Sequence, residues 1–290
     1  MPATRTVTVL TPGPQALVQD LGRPGHAHLG VPPSGALDQP ALRLANRLVG
    51  NPESAAGLEL LLGGLRLRAG CSCTVAVTGP AVAVEVNGRA AGSHTPVHLA
   101  VGDVLTVGRP VTGLRGYLAV GGGVDVPVEL GSRSTDVLSG IGPAPLRAGD
   151  VLPVGVSAGF PCGADELGPR VVEPELTVPV LLGPREDWFT GPGRQLAAGS
   201  WQVSPESNRV GLRLAGPALE RADGFAGREL PSEPVLTGSV QVPTGGRPVV
   251  FLADHPTTGG YPVIGVVPVG ALPALAQARP GSTVRFRPIG

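Results

Sequence analysis

Side chains able to do chemistry are concentrated in three loop-rich stretches of this chain. The first, Val18–Asn51 (VQDLGRPGHAHLGVPPSGALDQPALRLANRLVGN), carries Asp20, Arg23, His26, His28, Ser34, Asp38, Arg43, Asn46 and Arg47. The second, Ser204–Pro217, presents Ser207, Asn208 and Arg209, donors suited to a carboxylate or phosphate. The third, Phe251–Val267, brings Asp254 and His255 to a turn of Thr257, Thr258, Gly259, Gly260 and Tyr261. Adjacent glycines in such a turn can point backbone N–H groups at an anion. Loops held by a rigid scaffold are where binding sites usually sit. Several residues have a structural alternative, since Asp38 also suits a helix N-cap and Trp188 and Phe189 of GPREDWFT suit plain core.

Other pairs offer less. Cys71 and Cys73 alternate on a strand and read as buried thiols, and a metal site would need two more ligands. His94 and His98 are an even number apart on a strand that Pro96 restricts to a sheet edge, and read as polar surface rather than ligands. No Gly-x-Ser-x-Gly, His-Glu-x-x-His or Cys-x-x-Cys string occurs. No metal site is expected.

Composition narrows the chemistry. The 22 basic residues, all Arg, balance 22 acidic ones. Without lysine there is no phosphate-loop lysine, no Schiff base and no biotin carrier on this chain. Neutral charge gives no support to nucleic-acid binding. No apolar run reaches membrane-spanning length, no signal peptide is apparent, and three cysteines make no disulfide framework. These point to a cytoplasmic setting.

The elements that must position these residues are mostly strands. Glycine (45) and proline (33) are abundant, yet 42% of residues are hydrophobic, so they read as turn punctuation rather than disorder. Short Val/Leu-rich runs recur: Val7–Leu10, Leu58–Leu62, Thr74–Thr78, Val82–Val86, Val104–Val107 and Leu114–Val120 first, then Thr177–Leu182, Val210–Leu214, Val235–Val242, Val249–Leu252, Val263–Val267 and Val284–Phe286. One helix is expected between Asp38 and Gly50, with Pro40 in its first turn and Arg43, Asn46 and Arg47 off its buried stripe. A second, short one is expected over Leu272–Ala278. A turn-like string recurs at Leu99–Leu105 and Leu146–Leu152, with a looser third copy at Ala278–Val284, each feeding a strand. The fold class is mainly β with few short helices. Residues 1–160 and 170–290 form its two halves, and Gly155–Pro174 is the boundary.

Taken together, VQDLGRPGHAHLGVPPSGALDQPALRLANRLVGN with GLELLLGG, GPREDWF, SNRVGLRLAGP and LADHPTTGGYPVIG resemble the KipA family. That family is also called allophanate hydrolase subunit 2 or the C subunit of 5-oxoprolinase, and the same unit forms part of the carboxyltransferase domain of urea carboxylase. The strings run from Val18 to Gly265. Many relatives carry Arg-Gln where this chain has His255-Pro256, and His255 would hold an anion only when protonated. The resemblance implies two cyclophilin-like β-barrel halves. It also implies a hydrolase acting on a cyclic amide: the C subunit of an ATP-dependent 5-oxoprolinase. Its implied partners are a KipI-like B subunit (allophanate hydrolase subunit 1) and a LamB/YcsF-like A subunit, and together they would turn 5-oxoproline into glutamate. ATP is the implied cofactor; for such a reaction Arg23, Arg43, Arg47 and Arg209 are candidate anion clamps, the Thr257–Gly260 turn a candidate oxyanion or phosphate cradle, and Asp20, Asp38 and Asp254 candidate bases or Mg²⁺ holders. Whether Mg²⁺ accompanies ATP, and whether the partner shares the nucleotide, stay open. Two alternatives remain: a biotin-dependent, urea-carboxylase-like carboxyltransferase component, and a non-enzymatic KipA-like regulator.

Overall fold

Alternation of apolar and polar residues writes the strands directly. Leu65–Ala69 (LRLRA) buries Leu65, Leu67 and Ala69 and exposes Arg66 and Arg68. The computed structural model describes residues 5–157, 159–162, 168–169 and 171–289, so part of the expected boundary lies outside the described residues. The chain divides into two compact units. One takes residues up to Arg23, Ser34–Asp136 and Gly140–Val172; the other takes Pro24–Pro33, Val137–Ser139 and everything from Glu173 on.

The first unit contains β1 (Thr6–Pro12), β2 (Gln15–Gln19), α1 (Gln39–Leu48), β3 (Gly57–Leu61), β4 (Leu65–Ala69), β5 (Cys73–Thr78), β6 (Val84–Val86), β7 (Arg89–Ala91), β8 (Val97–Leu99), β9 (Val104–Val107), β10 (Arg115–Val120) and β11 (Val151–Pro153). They make a six-stranded sheet, β11-β1-β4-β9-β6-β7, and a five-stranded sheet, β2-β3-β10-β5-β8. The core joins residues of both sheets, such as Val7, Leu67 and Leu105 with Leu58, Val75 and Leu118. β8, which follows Pro96, is an edge strand as expected.

β10 is buried along its whole length. Leu118 and Val120 enter the main core. Tyr117 and Ala119 lie on the other face, under Ala41, Leu42, Ala45 and Leu48 of α1. The α1 start follows the sequence reading: the Asp38 carboxylate accepts from Ala41 N at 3.2 Å, and proline sits in the first turn. Asn46 departs from it, because this side chain is fully buried.

The second unit holds β12 (Glu175–Leu182), α2 (Pro192–Ala198), β13 (Trp201–Val203), β14 (Gly211–Ala215), β15 (Glu233–Pro234), β16 (Ser239–Gln241), β17 (Val249–Phe251), β18 (Thr258–Gly259), β19 (Val263–Val266), α3 (Leu272–Ala276) and β20 (Thr283–Ile289). Seven strands form a closed barrel in the order β12-β19-β16-β17-β14-β13-β20. The parallel pairing of β12 with β20, from Glu175↔Thr283 to Leu181↔Ile289, is part of this ring. Inside, Trp201 lies 5.4 Å from Phe286, ring centre to ring centre. Trp188 and Phe189 are buried. The molecule is thus mainly β with few short helices, and its closed barrel falls in the second unit.

Candidate functional site

Three polar clusters emerge, two in the first unit and one in the second. The first forms where β2 ends and runs into the QDLGR segment. Asp20 is buried, and its carboxylate takes four donors: Ser132 Oγ and Ser134 Oγ at 2.6 Å each, Gly22 N at 2.8 Å and Arg133 N at 2.7 Å. Arg23, 1% exposed, donates from Nη2 to Ser134 O and from Nε to Glu129 O at 3.4 Å. Gln19 Nε2 donates to Thr135 O at 2.8 Å, and Ser34 Oγ donates to the same carbonyl at 3.2 Å. Ser34 sits at φ 52°, a left-handed conformation rare for a residue with a Cβ.

The second cluster lies under the start of α1. Tyr117 donates its hydroxyl proton to Glu59 Oε2 at 2.8 Å and accepts from Asp38 N at 2.7 Å. Glu59 also accepts from Leu37 N at 3.0 Å, and Arg115 Nε stands 3.6 Å from its other oxygen. Burial first, then the charges of Glu59 and Asp38, push the Tyr117 phenol well above its ordinary range. Alongside is a cavity of about 310 Å³ lined by Asp38, Pro40, Ala41, Leu44, Gly79, His94 and Gly168. His94 is a correction to the sequence reading. It is buried rather than surface, at φ 58°, with Nε2 3.1 Å from Gly79 O and Nδ1 3.2 Å from Ser93 Oγ. Burial lowers its affinity for a proton. His98 is exposed on β8.

The third cluster is the pair Arg209–Asp254 in the second unit. Nε to Oδ2 is 2.8 Å and Nη2 to Oδ1 is 2.9 Å, and Asp254 Oδ2 also accepts from Val137 N at 3.1 Å. His255 is buried, stacked on Phe251 at 5.9 Å, with Nδ1 2.6 Å from Pro256 O. Ser207 closes a turn against Arg213, and the side-chain oxygen Asn208 Oδ1 accepts from Val210 N at 2.9 Å. In the Thr257–Tyr261 turn, β18 pairs with β15, and neither Gly259 nor Gly260 takes a left-handed φ. A backbone nest needs an alternation with left-handed φ, so the turn does not form one of that kind. Tyr261 is exposed, and its carbonyl accepts from Gln241 Nε2.

The remaining nominees lie on α1 and in the loop after β2. Arg43 and Arg47 both bind Glu53, at 2.9 and 2.6 Å. Asn46 Nδ2 donates to Glu53 O and Ala55 O, pinning the loop after α1. His26 is half-buried and His28 exposed, 6.5 Å apart. Cys73 is buried, and burial, with Cys71 beside it, pushes its thiol up to about 12. The sequence reading missed Gln19, Glu59, Arg115, Tyr117 and Ser132–Thr135. Gln19 stood inside the VQDLGR string, and the Ser-Arg-Ser-Thr run at 132–135 was the other available signal.

Among the described residues, the nominated acids and the glycine turn are not arranged as an ATP–Mg²⁺ site. Asp20 is saturated, Asp38 caps a helix, Asp254 is paired, and the glycine turn lacks nest geometry. Among the described residues no group of three or more His, Cys, Asp or Glu is placed to hold a metal ion. No helix among them is long and apolar enough to cross a membrane.

Fold and clusters together define a mainly β protein in which loops and strand ends, rather than a helix-borne motif, carry the polar groups. The chain belongs to the family of carboxyltransferase domains, subdomains A and B, whose model matches residues 29–288. It is 38% identical to the 5-oxoprolinase C subunit of Escherichia coli (strain K12), over 96% of this chain and 89% of that one. It is 33% identical to the 5-oxoprolinase C subunit of Haemophilus influenzae, over 98% and 91%. The crystal structure of the K. lactis urea amidolyase matches with a TM-score of 0.92 at 32% identity, covering 100% of this chain but 19% of that larger protein.

Proposed function

We propose that this chain is the C subunit of a 5-oxoprolinase, which opens the lactam of 5-oxoproline to glutamate at the expense of ATP, together with subunits resembling KipI and LamB/YcsF. The observation that carries the reading is the near full-length match, 96% of this chain against 89% of a protein named as that subunit. With Asp20, Asp38 and Asp254 engaged, and with Arg43, Arg47 and Arg209 paired, this reading gives the chain binding and shape and gives nucleotide binding to the assembled complex. An unreactive amide needs charge stabilisation as its carbonyl oxygen becomes negative, and buried donors are the groups that supply it. The test is reconstitution of the three subunits and measurement of ATP-dependent glutamate formation from 5-oxoproline. Full turnover without this chain would sink the reading.

A second reading, a carboxyltransferase component, is favoured by the urea amidolyase match. That protein is far longer, and this chain has no lysine to carry biotin, so a separate carrier would be required. Transfer of a carboxyl group from a biotinylated carrier to urea in the presence of this chain would select it.

A further inference from the structure

The cavity beside the start of α1 lies within the first unit, since all its lining residues fall in Ser34–Asp136 or Gly140–Val172. Its volume, about 310 Å³, stands at the lower end of small-molecule pockets, roughly 300–1,000 Å³. Helix α1 lends it Asp38 at the N-cap, Pro40 and Ala41 in the first turn and Leu44 one turn on. Gly79 and His94 add backbone in the left-handed region, at φ 101° and 58°, bridged by His94 Nε2 and Gly79 O at 3.1 Å. A left-handed residue with a Cβ is strained, and strain of that kind gathers at ligand sites.

The polar lining is one-sided. Gly79 O can only accept, so His94 Nε2 carries the ring proton, and Nδ1, 3.2 Å from Ser93 Oγ, is an acceptor. Burial disfavours the imidazolium, so the ring is neutral at pH 7. The other polar side chain is the Asp38 carboxylate, and Pro40, Ala41 and Leu44 are apolar. Among the described lining residues there is no arginine, hydroxyl or amide side chain. The arginines of α1, Arg43 and Arg47, are bound to Glu53 instead. An anion entering the cavity would lose its water and meet no side-chain donor. A bare metal ion is no better served, since no three His, Cys, Asp or Glu among the described residues are grouped to hold one. The match is a cation that brings its own N–H donors and an apolar body.

We propose that the cavity binds a small organic ammonium ion, a protonated primary alkylamine. Its N–H groups donate to the Asp38 carboxylate, and its alkyl body lies against Pro40, Ala41 and Leu44. Capping the helix does not exhaust Asp38. Its Oδ1 accepts from Ala41 N, and a carboxylate offers about four acceptor positions, so an N⁺–H donor adds to the cap rather than displacing it. The residue is also held in place from behind: Asp38 N donates to Tyr117 Oη at 2.7 Å, and Tyr117 donates to Glu59 Oε2 at 2.8 Å. The site stands apart from the oxoprolinase reading, because 5-oxoproline is a carboxylate and carries the wrong sign for it.

The test is calorimetric titration of the purified full-length chain at fixed ionic strength. The probes are n-butylammonium, tetramethylammonium (charge without N–H), butan-1-ol (the same body without charge), butyrate and 5-oxoproline. The expected result is butylammonium binding about tenfold or more tighter than every other probe, since a buried polar group left unmatched discriminates strongly. Asp38→Asn keeps a good helix cap and weakens butylammonium binding about tenfold or more. Leu44→Trp fills the cavity and abolishes binding. Should either variant fail to fold, nuclear Overhauser contacts from the butyl group to the Leu44 methyls and the His94 ring of the unaltered chain decide. No binding of butylammonium, binding equalled by any other probe, binding that survives either variant, or contacts elsewhere on the surface each overturns the site. Displacement of the amine by 5-oxoproline does the same.

Discussion

Arg209 and Asp254 meet as a bidentate pair, two parallel bonds of 2.8 and 2.9 Å, with side chains 3% and 0% exposed. Planar, fork-shaped guanidinium is what this geometry requires. In the sequence both residues looked like free chemistry, one an anion clamp and the other a base; in the fold each is the other's counter-ion. Removing one partner strands a buried charge. Arg209→Met is therefore expected to lose about 3–5 kcal/mol of stability, and Arg209→Met with Asp254→Leu to lose less than the single change. Urea unfolding of the three proteins checks this, and a double variant no more stable than the single one would contradict the pairing argument.

His94 makes stability depend on acid. Burial disfavours its imidazolium, so its folded affinity for protons is lower than in the unfolded chain. Below an ordinary histidine's value, about 6.5, the unfolded state binds more protons. The contribution is present above that pH and is lost as pH falls through the window beneath it. His94→Asn tolerates the left-handed backbone and has no proton to gain. Unfolding free energies between pH 7 and 5 should fall less steeply for His94→Asn than for the natural sequence; identical slopes would assign the acid sensitivity elsewhere.

Tyr117 works at the other end of the pH scale. Its hydroxyl serves Glu59 as donor and Asp38 N as acceptor inside the core. Tyr117→Phe leaves both groups short of one bond and should cost about 1–3 kcal/mol. Because the folded phenol ionises well above its usual range, the stability tied to the neutral form is present below pH ~10 and is lost as pH rises through the folded value. The natural chain should weaken on that alkaline limb more than Tyr117→Phe does, measured as the difference between their unfolding curves. Cys73 contributes equally to both and cancels.

Much of this was legible in the residues, for reasons that can be located. The repeated string is one turn used three times. Asp103 N bonds Ala100 O, Asp150 N bonds Arg147 O and Ser282 N bonds Arg279 O, each with the side chain of the last residue bonding back to the first N–H. Gly102, Gly149 and Gly281, at φ 91°, 95° and 87°, occupy the third position, where glycine fits without strain. Local chemistry of that kind, like the Asp38 cap, needs no knowledge of the rest of the chain. The polar clusters were opaque because their partners are distant. Asp20 meets Ser132 and Ser134 across more than a hundred residues, as Arg209 meets Asp254 across 45. Charge type can be read from a sequence, but whether a charge is already neutralised depends on such long-range pairing. That is why Arg209 looked available and why Gln19, an uncharged strand residue, was passed over.

Arg43 and Arg47 show the same limit on the surface, and there the consequence is functional. Both project from α1, and both bind one carboxylate, that of Glu53. Hydrogen bonds from Arg47 first and Arg43 second hold that carboxyl below its usual range. Its contribution is therefore present above the unfolded carboxyl value and disappears as pH falls through the folded one. The pair is exposed and screened by solvent, so the effect on stability is small and fades with added salt. If Glu53 is their proper partner, Arg43→Ala and Arg47→Ala should leave ATP-dependent glutamate formation by the reconstituted complex unchanged. The informative control is Glu53→Gln, which frees both arginines without removing them. Were either arginine an anion clamp for substrate, its alanine variant would raise the KM for 5-oxoproline while Glu53→Gln left it level or lowered it, and the assignment of both residues to the fold would be wrong.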